Sequence, residues 1–182
     1  MGNDAPGSFE RIAQYYEALA NAPRRLEREG PFLRETLARA PGNRVLDLAC
    51  GTGLHALWFA EQHADVTAID LSAAMIAYAR THRAHERIDY RVCDMRTPPH
   101  GTWDLIVSLG NSLCLLEAED DLRRVFLNVR ERLSAEGRFL FQILNYGRSE
   151  AQEPRHRIET AALPEGKQIG RASCRERVYH PV

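Results

Sequence analysis

Residues 45–56 read VLDLACGTGLHA, a short apolar run that empties into Gly51-Thr52-Gly53 and then into a helical pattern. A strand, a glycine turn and a helix in immediate succession present backbone amides at the helix start, with no Cβ on the glycines to hold a ligand away. The same succession commits the chain to an α/β fold, because a strand buried on both faces needs helices to cover it. Gly51, Gly53 and Ala56 also satisfy the G-x-G-x-x-G/A dinucleotide spacing, so the turn alone leaves its ligand open.

The rest of the chain repeats this unit. Apolar runs predict strands over 44–49, 65–69, 88–92, 103–109 and 137–144, and helical periodicity predicts helices over 53–62, 73–84 and 119–133. Alternation of this kind predicts a doubly wound, Rossmann-like, mostly parallel sheet. In the last helix Leu122, Val125, Phe126, Val129 and Leu133 form one stripe, read as core. Upstream, Phe9, Ile12, Tyr16 and Leu19 predict a helix over 8–20, and Asn21 to Pro23 interrupt it. Gly30-Pro31 punctuate again before a further helix whose apolar face is Phe32, Leu33, Thr36, Leu37 and Ala40. Residues 147–168 show no clear period.

With 182 residues and 44% apolar content, the chain has material for one core. Its 24 basic and 25 acidic side chains leave a net charge of -1, which supplies no field to hold a nucleic acid. No apolar run approaches the roughly 18 residues of a membrane span. Cys50, Cys93, Cys114 and Cys174 have no CxxC spacing, which fits reduced thiols and a cytoplasmic protein. His55, His63, His82, His85, His100 and His156 form no i, i+4 pair with an acidic third ligand, so no metal is expected.

Three acids narrow the ligand. Asp47 precedes the glycine turn, where a carboxylate suits a cationic ammonium and is an awkward neighbour for a pyrophosphate. Asp70 ends the next strand, placed to accept from both hydroxyls of a ribose. Asp94 follows the third strand, where it can accept from an adenine amine while Met95 packs on the ring. Amine head, ribose and adenine are combined in S-adenosylmethionine, and ligands of open α/β sheets bind beyond these strand ends.

VLDLACGTG, VTAIDLS, YRVCDM and WDLIVSLGNSLCLL, followed by LNVRERLSAEGRFLFQILNY, make residues 8–146 resemble a class I S-adenosylmethionine-dependent methyltransferase. The resemblance implies strand order 3-2-1-4-5, a helical lid over 1–42 and a cofactor-binding core over 43–146. It implies that Gly51 and Gly53 line the methionine portion, Asp70 holds the ribose, Asp94 and Met95 meet the adenine, and Leu109 closes over the cofactor. Leu71 and Met75 complete the expected cofactor set. Gly110-Asn111-Ser112 and Asn145-Tyr146 are similar to the glycine and sarcosine N-methyltransferases, and the segment with Tyr15, Tyr16 and Pro23 to Gly30 looks like their lid. Those enzymes carry an arginine just before the Asn-Tyr pair. Here that position is Leu144, which argues against glycine as acceptor and leaves Arg24, Arg25 and Arg148 as candidate replacements.

Methyl transfer from a sulfonium needs alignment and exclusion of water more than acid–base machinery. Asn111 is the expected acceptor-side residue, with Tyr16 from the lid beside it, and a small-molecule acceptor, an amine by resemblance, is favoured. A small-molecule O-methyltransferase, a non-catalytic S-adenosylmethionine-binding protein and a nicotinamide oxidoreductase stay open. Two features concern the C-terminal part. IGRASCRERV (169–178) resembles a translated sequencing adapter, so 169–182 is expected to be non-native and 147–168 an incomplete C-terminal part. By resemblance the complete fold adds two strands, one beside the fifth, so Arg138 to Leu144 is expected to be an apolar edge that favours aggregation.

Overall fold

Strand β1 (Arg44–Leu48) turns Val45 and Asp47 to one face of the sheet and Leu46 and Leu48 to the other, all four buried. The computed structural model describes residues 22–143, 157–162 and 168–173. Around β1 it builds α1 (Ala22–Ala38), α2 (Leu54–Glu61), β2 (Asp65–Asp70), α3 (Ala73–His82), β3 (Ile88–Val92) and β4 (Trp103–Ser108). A single 3-10 turn (Ser112–Leu115), α4 (Glu119–Arg132) and β5 (Leu133–Phe141) follow. The five strands are parallel and lie in the order β3-β2-β1-β4-β5.

Each face has its own core. Leu33 of α1, Ala56 and Phe59 of α2, and Ile76 and Ala79 of α3 pack on Val45, Val66, Leu105 and Val107. On the opposite face Val125 and Val129 of α4 pack on Leu46, Leu48, Ile69 and Ile106. Burial of each valine, leucine, isoleucine or phenylalanine among them contributes about 1.5–3 kcal/mol. Asp47 therefore points from the central strand into the layer made by α1 and α2.

Three expectations are corrected. Gly30-Pro31 does not break a helix, since α1 runs through both with Pro31 inside it. Leu26, Gly30, Leu33 and Leu37 form a continuous face at helical spacing, with Gly30 and Leu33 buried, and a Cβ added at Gly30 would lie 3.6 Å from the Trp58 ring nitrogen. Packing of that face outweighs the hydrogen bond the proline removes. Phe32, placed by pattern on the apolar face, is 56% exposed. β5 begins at Leu133 rather than near 137, because the chain leaves α4 directly into pairing with Trp103, shifts register, and resumes opposite Leu105 at Arg138. Glu136, at φ 64, carries the irregularity.

Residues 157–162 and 168–173 form a separate antiparallel ribbon, β6 (Arg157–Ala162) with β7 (Gln168–Ser173). The sequence left the first of these stretches without a period and assigned most of the second to the non-native tail. The expected helix over 8–20, Tyr16, Leu144 and the Asn145-Tyr146 pair lie outside the described residues.

Candidate functional site

The carboxyl ends of β1, β2 and β4 meet at the glycine turn. Ala49, Gly51 and Gly53 all have left-handed backbone, at φ 58, 56 and 82. A left-handed alanine stores strain of about 1–2 kcal/mol, of the kind found beside functional sites. The two glycines differ in what surrounds them. A Cβ at Gly51 would meet nothing within 4 Å, whereas one at Gly53 would stand 2.5 Å from the Tyr90 hydroxyl. That hydroxyl donates to the Arg83 carbonyl at 3.1 Å, and the Arg83 guanidinium donates to the Thr52 carbonyl at 2.7 Å, which braces the turn from behind.

Asp70 is bound to this turn through both oxygens, which accept from the Gly51 amide at 2.8 Å and the Ser72 amide at 2.9 Å. Burial raises its pKa, and those two amides partly offset the rise. Asp47 is 2% exposed, and its Oδ2 has no hydrogen-bond partner among the described residues. Burial, with the Asp70 charge adding to it and Arg25 opposing, pushes its pKa up to about 8. A buried carboxyl oxygen with no donor is costly unless something else meets it.

A cavity opens over Asp47, walled by Ala49, Gly51, His55, Leu109, Ser112 and Arg25. Arg25 comes from α1; the sequence offers it, with Arg24 and Arg148, as a replacement cation for an acceptor carboxylate. Its Nε donates to Glu29 at 3.1 and 3.2 Å, and a terminal nitrogen reaches Gln142 Oε1 at 3.3 Å. Gln142 Oε1 also accepts from the Gly110 amide at 3.0 Å, tying the loop after β4 to the end of β5. Glu29 accepts from His55 Nε2 at 2.9 Å. Glu29, His55 and Gln142 were not among the expected site residues. Nothing in one sequence links a glutamate, a histidine and a glutamine so far apart.

Of the other expected residues, Leu109 lines the cavity, and Leu71, which follows β2, is 68% exposed. Met75 is buried in α3, with its amide directed to the Ser72 hydroxyl at 3.3 Å. Asp94 and Met95 lie at the end of β3, away from the cavity wall. Asp94 is held by Arg96, which also reaches Asp121 on α4 at 2.9 Å, and the Arg96 hydrogen bonds keep its pKa below the ordinary value. Met95 packs on the α4-side core. Asn111 sits at φ 71 in the turn after β4, following Gly110 at φ 86. The structure thus gathers Asp47, Gly51 and Asp70 at one turn and leaves Asp94 one strand further out.

A second depression, of about 370 Å³, lies at the opposite strand ends, between Arg44, Asp65, Arg87, Asp89 and Trp103. It is open, and Arg87 and Arg91 are already paired with Asp65 and Asp89. It bears no relation to the glycine turn.

Comparison with known proteins settles the family, since residues 45–137 match the family described as methyltransferase domain. The chain belongs to that family. The strand order and the turn after β1 are accordingly those of a class I S-adenosylmethionine-dependent methyltransferase domain. The methyltransferase domain is 33% identical to a glycine/sarcosine N-methyltransferase of Halorhodospira halochloris over 129 residues, 67% of this chain and 47% of that protein. It resembles the S-adenosylmethionine complex of a glycopeptide N-methyltransferase with a TM-score of 0.55 and 27% identity, covering 78% of this chain and 64% of the other. An S-adenosylmethionine-bound amino pentose methyltransferase from Micromonospora echinaspora shares the fold with a TM-score of 0.73 at 24% identity, over 88% of this chain and 68% of the other. The chain spans about half the length of the curated relatives it matches. Among the described residues, no helix is long and apolar enough to cross a membrane.

Proposed function

We propose that this methyltransferase domain transfers a methyl group from S-adenosylmethionine to the nitrogen of a small-molecule amine in the cytoplasm. The observation that carries the cofactor is that a buried carboxyl without a donor and a guanidinium line one cavity. Asp47 offers an unpartnered buried oxygen, and Arg25 brings a guanidinium to the same wall. An amino-acid head, with ammonium and carboxylate on one carbon, fits that pair, whereas a dinucleotide pyrophosphate has no use for the acid. The open space over Gly51 gives such a head access to the turn.

In this reading Asp47 takes the ammonium and Arg25 the carboxylate. Asp70, already oriented by two amides, takes the ribose hydroxyls. Asp94 and Met95 serve the adenine, and Leu71, Met75 and Leu109 enclose it. Bound S-adenosylmethionine supplies an electrophilic methyl on a positively charged sulfur. The chain's own part is to align the acceptor and exclude water. Asn111 and Ser112, in the turn after β4, orient the acceptor nitrogen, with Tyr16 closing from the N-terminal side. The amine is supported by relatives named as N-methyltransferases of glycine and sarcosine. Cysteines without bonded partners, Cys50, Cys93 and Cys114, agree with a reducing compartment.

Calorimetric titration with S-adenosylhomocysteine and with NAD, followed by a screen of small amines, phenols and carboxylic acids against labelled methyl donor, tests this. Binding of the first ligand alone and label on an amine are expected. Absence of S-adenosylhomocysteine binding overturns the cofactor, and label confined to oxygen acceptors overturns the amine.

A further inference from the structure

Glu29 occupies an unusual place in this site, because one carboxylate serves partners on two different helices. Its oxygens accept from Arg25 Nε one helical turn earlier on α1, and Oε2 also accepts from His55 Nε2 in the first turn of α2. An exposed i, i+4 ion pair on a helix contributes little by itself. Here the side chains are 20% exposed for Arg25, 26% for Glu29 and 7% for His55, and the third partner fixes the carboxylate from outside the helix.

The geometry constrains Arg25 in a specific way. With Nε engaged by Glu29, the plane of the guanidinium is set, and its terminal nitrogens are directed to the loop after β4. One donates to Gln142 Oε1, and a Cβ added at Gly110 would lie 3.6 Å from both. Burial lowers the His55 pKa, with Arg25 and Arg83 nearby adding to the fall and Glu29 opposing it. The imidazole is then neutral at pH 7 and donates an N–H to Glu29 without competing as a cation. Burial raises the Glu29 pKa, and the bonds from His55 and Arg25 more than reverse that, so Glu29 stays ionised. An arginine held in this manner has already lost the side-chain freedom that binding would otherwise cost.

We infer that Glu29, anchored by His55, is a positioning residue that presets Arg25 for a carboxylate and so gives the site its preference for amino-acid-bearing over carboxylate-free adenosyl ligands. The inference rests on the cofactor reading above. It is tested by measuring affinities of the wild-type chain and of Glu29→Gln for two probes. One is S-adenosylhomocysteine. The other is decarboxylated S-adenosylhomocysteine, which keeps the amine and lacks the carboxylate. Glu29→Gln is expected to weaken the first by at least about tenfold and the second by less than about twofold. Adding Arg25→Met to Glu29→Gln is expected to bring little further loss, since the arginine is already misdirected.

Equal weakening of both probes, or no weakening of the first, overturns the inference and leaves the cofactor reading intact. A wild-type chain that binds neither probe overturns both. If Glu29→Gln does not fold, His55→Gln and His55→Leu supply the same comparison. The amide retains an N–H for Glu29 and is expected to keep the preference, and leucine is expected to lose it. Identical behaviour of the two overturns the inference.

Discussion

Asp47 pairs with Ala68 on one side and Val107 on the other, in a sheet whose neighbouring positions are apolar. Its folded-state pKa of about 8 lies above the ordinary carboxylate value, so the native chain holds a proton that the unfolded chain has released. This group's contribution is therefore fully present below about pH 4 and is lost as pH rises towards 8, at about 1.4 kcal/mol per pH unit for one proton. Asp47→Asn is expected to raise the melting temperature of the ligand-free protein at pH 7 and to flatten its decline between pH 5 and 8. The same substitution is expected to abolish S-adenosylhomocysteine binding in calorimetry, and a variant that loses stability at pH 7 contradicts the account. Asn111 asks a different question, because its left-handed backbone is reason enough for an asparagine. Asn111→Gly keeps that backbone without the amide. If the amide orients the acceptor, Asn111→Gly and Asn111→Ala both lower turnover with cofactor affinity little changed, and the alanine variant also loses about 1 kcal/mol of stability to left-handed strain, read as a lower melting temperature.

At the scale of elements, the two glycines of the turn separate stability from binding. Gly53→Ala adds a Cβ against Tyr90 as well as left-handed strain, so it is expected to lose more than the 1–2 kcal/mol, or so, of strain alone. Gly51→Ala meets only the strain, yet its methyl projects into open space by the cavity, so its main effect is expected in S-adenosylhomocysteine affinity. Thermal melts and titrations of both variants check the contrast. The same turn shows why much was legible from sequence. Strands of five or six residues with apolar centres, set between glycines and helical stretches, have few ways to pair, and Asp47 and Asp70 fall at or near strand ends that the parallel order brings together. What escaped depended on contacts between distant residues. A helix through Gly30-Pro31 is a poor choice locally and a good one once Trp58 packs against Gly30. Glu29 and His55 look like a surface acid and a stray imidazole until α1 lies over α2.

For the molecule as a whole, β5 closes the order of the five-stranded sheet, and Phe126, Phe139 and Phe141 cluster beside it with ring centroids 5.2 to 5.6 Å apart. Phe141 and Ile143 are 41% and 50% exposed. An apolar edge of this kind promotes self-association. Phe141→Lys is expected to reduce concentration-dependent light scattering of the 182-residue chain, and unchanged scattering contradicts that role for the edge. The bond from Arg25 to Gln142 spans 117 positions, joining the first described helix to the chain just after the last strand of the sheet. The roof over Asp47 therefore draws on two distant parts of the chain, α1 and the residue that follows β5. A ligand that requires both the acid beneath and the guanidinium above therefore clamps α1 to the sheet as it binds, and so stabilises that docking by mass action.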